Sequence, residues 1–312
     1  MSRDTGLCSA DETARLMPYP ALVAALRTAA LEAAAGQINC PQRQVLPMGE
    51  GGAILSMVAV AADLAVHKLV TVMPGNGARG LPTIQGQVSV MSSISGERLL
   101  LLDGATVTGC RTAALSMLGV ATLMGTAPKA VRLYGTGTQA RHHLQAIAAL
   151  YPQARVEVAG RTVEAAVAFC AAHANECAAL AAAAPTAPGS DVDLVVTCTT
   201  SPEPVYREGA RARRLVIAVG AYTPQAAEVA AATVRDSALY VDDLANARAE
   251  AGDLLRAGVD WQRVRAIAEG IDAPPPTGPA LYKTVGSAAW DLAAARVAVA
   301  SSGCNKSVTE RR

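Results

Sequence analysis

The stretch that most constrains this chain is a short apolar run that ends in a glycine turn and passes straight into a helical pattern. It reads Ala130-Val-Arg-Leu-Tyr-Gly135-Thr-Gly137-Thr-Gln139-Ala140-Arg141-His-His-Leu. Gly-x-Gly-x-x-Ala between a strand and a helix is the opening of a dinucleotide-binding βαβ unit. Gly135 permits the tight turn, Gly137 lets the backbone approach a pyrophosphate, and Ala140 is small enough for helix to pack on strand. The helix N-terminus then offers free N–H groups and the positive end of its dipole to phosphates. The plain alternative is an ordinary glycine turn, and the flanking strand and helix patterns weigh against it.

The next strand, Val156-Glu-Val-Ala159, leads into Gly160-Arg161-Thr162. An NAD enzyme usually carries Asp or Glu here to hold the ribose 2′-hydroxyl. None stands at positions 159 to 162. Arg161 offers a fork suited to phosphate and Thr162 a small hydroxyl. The pair favours NADPH (NADP), with NADH possible; the alternative for Arg161 is a solvated loop residue.

At 312 residues the chain can build two domains with full cores. Half of it is hydrophobic, yet no run approaches the ~18 apolar residues of a membrane span. Its first residues lack the basic-then-apolar layout of a signal peptide, so the expected location is cytoplasmic. Net charge is +1 with both signs interspersed, which points to neither nucleic acid nor an anionic membrane. The seven cysteines and four histidines form no CxxC, HExxH or spaced ligand set, so free thiols and no metal are expected.

Taken in order, Ser9-Ala-Asp-Glu12 reads as a capping box, and Pro20 suits the first turn of a second helix. Strand-like runs follow at Gln44–Pro47, Ala53–Ala59, Leu64–Met73, Thr83–Met91 and Arg98–Leu102, punctuated by glycine turns. Alternation in Gly86–Ser93 predicts one wet and one buried face. A long helix is expected from about Thr108 to Met124, with Arg111 in its first turn. The dinucleotide domain then runs through strands 131–134 and 155–159, helices 137–150 and 163–175, a poorly marked strand near 177–182, and apolar runs at 194–198, 215–219 and 238–241. These suit buried parallel strands. The fold class is therefore α/β: a Rossmann-like doubly wound domain beside a second α/β domain. Pro274–Pro279 marks a boundary, after which Lys283–Gly286 leads into a last helix, Ala288–Ala300; Gly303–Arg312 is a polar tail.

The N-terminal half supplies three notable cations. Arg43 sits in Pro41-Gln-Arg-Gln-Val, Lys68 inside the apolar strand Ala65-Val-His-Lys-Leu-Val, and Arg111 in Thr108-Gly-Cys-Arg-Thr. A lysine in an apolar strand is costly unless it is paired or faces a cavity, and burial lowers its pKa into a range that suits proton transfer. An arginine at a helix N-terminus suits a carboxylate. The alternatives are a solvated strand end for Arg43, a snorkelling Lys68 and a domain-bridging Arg111.

Several motifs now line up in order. They are Gly80-Leu-Pro-Thr83 with Gly86, Leu102-Asp103-Gly104…Thr108-x-x-Arg111-Thr112-Ala113-Ala114, Gly135–Ala140, Gly160-Arg-Thr162, Thr199-Thr200-Ser201-x-x-Pro204-Val205, Val219-Gly220-Ala221 and Lys283-Thr-Val-Gly286. Together they resemble the ornithine cyclodeaminase/μ-crystallin family over nearly the whole chain. The resemblance implies a substrate-binding and dimerisation domain, residues 1–118 with 287–312, and a Rossmann-like NADP-binding domain, 119–286. It implies a homodimer acting on amino acids or cyclic imines with NAD(P). Carried over, Arg43 and Arg111, with Thr112, hold the substrate carboxylate, and Lys68 is the catalytic group beside the reacting carbon. Gly135, Thr136, Gly137, Thr138, Gln139 and Ala140 hold the pyrophosphate. Arg161 and Thr162 take the 2′-phosphate, Thr199 and Thr200 lie along the cofactor, and Gly286 stands near the nicotinamide.

Two departures matter. Cyclodeaminases and related alanine dehydrogenases carry Asp after Val-Gly-Ala/Gly, whereas this chain has Tyr222. A phenol with pKa near ~10 is a poor base for deprotonating an amino acid. Reduction of a cyclic imine needs a protonated C=N instead, so the pattern resembles the ketimine-reductase members, which reduce Δ1-piperideine-2-carboxylate or Δ1-pyrroline-2-carboxylate to L-pipecolate or L-proline. Met57-Val58 replaces the Met-Pro of many members, in what reads as a loop near the pocket. The alternatives are an NAD-dependent ornithine cyclodeaminase, a non-catalytic NADPH-dependent ligand carrier like μ-crystallin, and a dehydrogenase of an open-chain amino acid. Glu228 reads as packing or a solvated position.

Overall fold

A computed structural model describes residues 7–303 apart from 187, 188 and 190; the tail beyond Gly303, with Cys304, lies outside the described residues. The chain divides into two compact units, residues 1–112 with 287–312, and residues 113–286.

In the first unit, α1 (Ala10–Arg15) opens on the expected capping box, with Ser9 N–H donating to Glu12 Oε2 at 2.8 Å. Helix α2 (Tyr19–Ala34) carries Pro20 in its first turn. Five strands follow: β1 (Gln44–Met48), β2 (Gly52–Val60), β3 (Leu64–Val72), β4 (Ile84–Ser92) and β5 (Arg98–Asp103). They form one antiparallel sheet in chain order. Side chains alternate across a strand. Lys68 therefore falls on the buried face of β3 with Leu64, Val66 and Val70, while Val88 and Val90 are the buried face of β4. Met57 and Val58 are not in a loop: they sit inside β2, paired with Lys68 and His67. A proline at 58 would remove an N–H from that strand.

Helix α3 (Gly104–Leu123) begins one turn earlier than its sequence suggests, because Asp103 Oδ1 accepts from Thr106 N–H at 2.7 Å. Arg111 consequently stands two turns into the helix, not in its first turn. The remaining elements are β6 (Ala130–Tyr134), α4 (Thr138–Leu150), β7 (Arg155–Ala159), α5 (Val163–Ala172), β8 (Leu180–Ala183), β9 (Leu194–Thr197), β10 (Leu215–Ala218), α6 (Ala231–Arg235), β11 (Ala238–Val241), α7 (Leu244–Glu250), α8 (Gly252–Ala257), β12 (Val264–Ala266), α9 (Ile267–Gly270), β13 (Ala280–Lys283) and α10 (Ala288–Ser301). The second unit is an eight-stranded parallel sheet ordered β12-β11-β13-β10-β9-β6-β7-β8. The fold is thus α/β and doubly wound. Pro274–Pro279 is no boundary here, since β13 returns after it to lie between β10 and β11. Its four residues are buried, which a four-residue run behind prolines does not announce. Helix α10 closes the first unit, packing its alanine-rich surface on α2, β2 and β3.

Candidate active site

In the second unit the chain leaves the sheet centre in opposite directions from β6 and β9. That reversal is the switch point where doubly wound sheets bind ligands, beyond the carboxyl ends of the strands. A cleft of about 880 Å³ lies there, walled by Gly135, Thr136 and Gly137 after β6, Gly160 and Arg161 after β7, and Thr199 and Thr200 after β9. Gly135 has φ of 124°, and a Cβ there would stand 2.7 Å from the Cys198 carbonyl oxygen. A Cβ on Gly137 would meet no protein atom within 4 Å, and α4 starts with no side-chain cap. Thr138, Gln139 and Ala140 form that first turn, whose N–H groups are left for an anion. The residues present therefore fit a dinucleotide pyrophosphate. Ala140 is fully buried.

Further sequence-chosen residues take varied places. Thr162 Oγ1 accepts from Ala165 N–H at 3.2 Å and so caps α5. Gly286 is buried off the cleft wall; its N–H donates to Asp242 Oδ2 at 2.8 Å and its carbonyl accepts from Asn246 Nδ2 at 3.2 Å. Arg207 and Glu208 also line the cleft. Their only sequence signal is that they follow the Thr199–Val205 motif. Tyr222 is 48 % exposed. Glu228 is not solvated: it is fully buried and receives hydrogen bonds from Thr197 and Thr199.

In the first unit a cluster of charges forms around Lys68, itself 2 % exposed. The Lys68 ammonium donates to Asp291 Oδ1 at 3.0 Å and lies 2.8 Å from Oδ2. Arg111 Nε stands 3.4 Å from Asp291 Oδ1. Arg111 and Thr112 are buried on α3, and half-buried Arg43 precedes β1. Burial pulls the Lys68 pKa from 10.5 down to about 8, helped by the Arg111 and Arg43 charges; Asp291 opposes the shift without cancelling it. Two buried cations thus share one buried carboxylate, leaving a positive surplus that suits a small anion. Asp291 escapes the sequence reading. The signal is one acid in a helix whose only other charge is Arg296, a natural partner for a lysine in an apolar strand.

A Rossmann-like sheet with a switch-point cleft in one unit and a buried cation cluster in the other are parts that an oxidoreductase uses, and the relatives give that class. The chain belongs to the ornithine cyclodeaminase/mu-crystallin family, whose model matches residues 5–301. It is 54 % identical over 290 residues to Delta(1)-pyrroline-2-carboxylate reductase 2 of Burkholderia ambifaria, covering 93 % of each chain. It is 53 % identical, with the same coverage, to the Delta(1)-pyrroline-2-carboxylate/Delta(1)-piperideine-2-carboxylate reductase of Azospirillum brasilense. Among solved structures, the Thermococcus litoralis Delta(1)-pyrroline-2-carboxylate reductase, in complex with NADH and L-proline, shares the fold. Its TM-score is 0.86 at 24 % identity, over 95 % of this chain and 96 % of that one. The likeness to the ketimine-reductase branch is borne out.

Proposed function

We propose that the protein is a cytoplasmic, NADPH-dependent reductase of the cyclic imino acids Δ1-pyrroline-2-carboxylate and Δ1-piperideine-2-carboxylate, yielding L-proline and L-pipecolate. The observation that carries this reading is the buried Lys68–Asp291–Arg111 cluster with Arg43 beside it. Arg43 and Arg111 hold the substrate carboxylate, which fixes C2 in place. Lys68 keeps the imine nitrogen protonated and so makes C2 electrophilic. When bound, the reduced cofactor supplies the hydride for C2. Tyr222, in place of a carboxylate base, disfavours the deaminating direction. Arg161 on the cleft wall, with no acid at 159–162, supports NADPH over NADH. The test follows absorbance of the reduced nicotinamide with each imine, NADPH and NADH side by side. Rapid oxidation with NADPH ahead is expected. Dinucleotide binding without oxidation, or ammonia release from ornithine, would overturn the reading.

The pH dependence follows from Lys68. Its protonated form persists up to about pH 8, so kcat/KM for the imine should hold on the acid side and fall above that point. Asp291→Asn removes the influence that raises this pKa, and the falling limb should move to lower pH; an unmoved limb would dissociate Lys68 from it. The same shift acts on stability. Between about 8 and 10.5 the unfolded chain binds more protons than the folded one, so this group's contribution to stability rises as pH climbs through that window.

The homodimer is proposed on the edge of the first unit's sheet. All of β1 is exposed, with Val45 at 53 % and Leu46 at 62 %. Such an apolar edge invites pairing with a second copy. Light scattering should give twice the 31.8 kDa chain mass, and Leu46→Asp should shift it toward one chain. A wild-type monomer would refute the assignment.

A further inference from the structure

We propose that Glu228 is a positioning residue whose carboxylate sets the backbone of the two loops that follow β9 and β10, and so shapes the cleft for its dinucleotide. The inference rests on the cleft being a dinucleotide site. Glu228 lies in the segment between Tyr222 and α6 and is fully buried. Its Oε1 accepts from Thr199 N–H at 2.5 Å. Its Oε2 accepts from Gly220 N–H at 2.5 Å, Ala221 N–H at 3.3 Å and the Thr197 hydroxyl at 3.0 Å. One side chain thus ties together the ends of two neighbouring strands, and Thr199 is itself part of the cleft wall. The fit is tight: a Cβ on Gly220 would stand 2.1 Å from the Thr199 carbonyl oxygen and 2.8 Å from Glu228 Oε1.

The carboxylate is in turn held from below. The N–H groups of Glu228 and Val229 donate to Asp253 Oδ1 at 2.6 and 2.9 Å. Asp253 Oδ2 pairs with Lys283 at 3.1 Å, and Lys283 donates to the Ala218 carbonyl at 3.2 Å. Asp253 and Lys283 are as buried as Glu228. Burial pushes the Glu228 pKa up; the Lys283 charge and the Thr199 amide pull it back. The chemistry demands an acceptor on both oxygens, since every group facing them is a donor. Asparagine or glutamine cannot serve, because an amide would turn its own N–H hydrogens toward backbone N–H groups.

The test is NADPH titration of the full-length protein, followed by fluorescence, for the wild type, Glu228→Gln and Glu228→Asp, with thermal melts to show folding. Glu228→Gln should raise the NADPH Kd by about tenfold or more, as expected for losing charge-assisted hydrogen bonds. Glu228→Asp, which keeps the charge but is too short to reach both loops, should fall between. KM for the imine at saturating NADPH should stay within about twofold, a split that general loss of structure would not give. A folded Glu228→Gln that binds NADPH like the wild type overturns the proposal. If that variant does not fold, Glu228→Asp decides on the same terms. Hydrogen exchange decides without any variant: the Thr199 and Gly220 amides, outside every strand, should be protected in the dinucleotide-free protein, and rapid exchange at both overturns it. A wild type that binds no dinucleotide overturns the functional reading itself, a result separate from equal binding by wild type and variant.

Discussion

Lys68→Met should lower imine turnover by about a thousandfold, within the range that general acid groups contribute, and leave NADPH affinity unchanged. The effect is large because, on the proposed reading, the proton donor is this one lysine on the buried face of β3, 2 % exposed. Two consequences of the substitution must be separated. Removing one member of a buried ion pair commonly costs about 3–5 kcal/mol, because the remaining charge is stranded. Here Asp291 keeps Arg111 at 3.4 Å, which moderates that cost. Burial had also been working against the lysine charge, as its lowered pKa records. Lys68→Met should therefore cost less thermal stability than Asp291→Asn, which takes the shared carboxylate away from both buried cations. Kinetics and melting curves measured on both variants check this. Wild-type turnover in folded Lys68→Met would remove the lysine from the chemistry.

Arg111→Leu should raise KM for the imine by about a hundredfold, with a smaller change in kcat, since a charged, forked hydrogen bond to a carboxylate is worth roughly 3 kcal/mol. The position of Arg111 sharpens the expectation. It stands two turns inside α3, so the helix N-terminus gives it little help with an anion, and the attraction must come from the guanidinium. Arg111→Lys should recover little, because a point charge lacks the fork. Steady-state kinetics at saturating NADPH read both effects. A KM within about threefold of wild type in Arg111→Leu would place the carboxylate elsewhere.

Much of this was legible in the sequence, for physical reasons that differ by element. Most strands of both sheets announce themselves by alternation or by unbroken apolar runs, and the Gly135 turn by the spacing that a pyrophosphate demands. Lys68 is legible because a charge inside an apolar strand needs an explanation. Asp291 is not, because nearly every position of α10 is buried and the helix shows no contrast between faces. The start of α3 is hidden because Gly104 and Thr106 resemble a turn, and only the cap by Asp103 reveals the helix. Strands β12 and β13 are too short to carry a period. Glu228 is hidden for another reason: its role is set by backbone groups of Thr199 and Gly220, which a side-chain pattern cannot display.

The late arrival of β13 has a consequence for how the chain is made. Strands β11 and β12 join the sheet only through residues 280–283, and Lys68 meets Asp291 only through α10, a few residues later. On the ribosome, the edges of β10 and β11 stay unpaired and the buried face of β3 uncovered until those last segments emerge. Most of the polypeptide must therefore wait, with apolar surface showing, for its final tenth. Slow translation there prolongs the wait, and a chaperone that shields open strand edges shortens the exposure. Any truncation before residue 280 leaves both units unfinished at once.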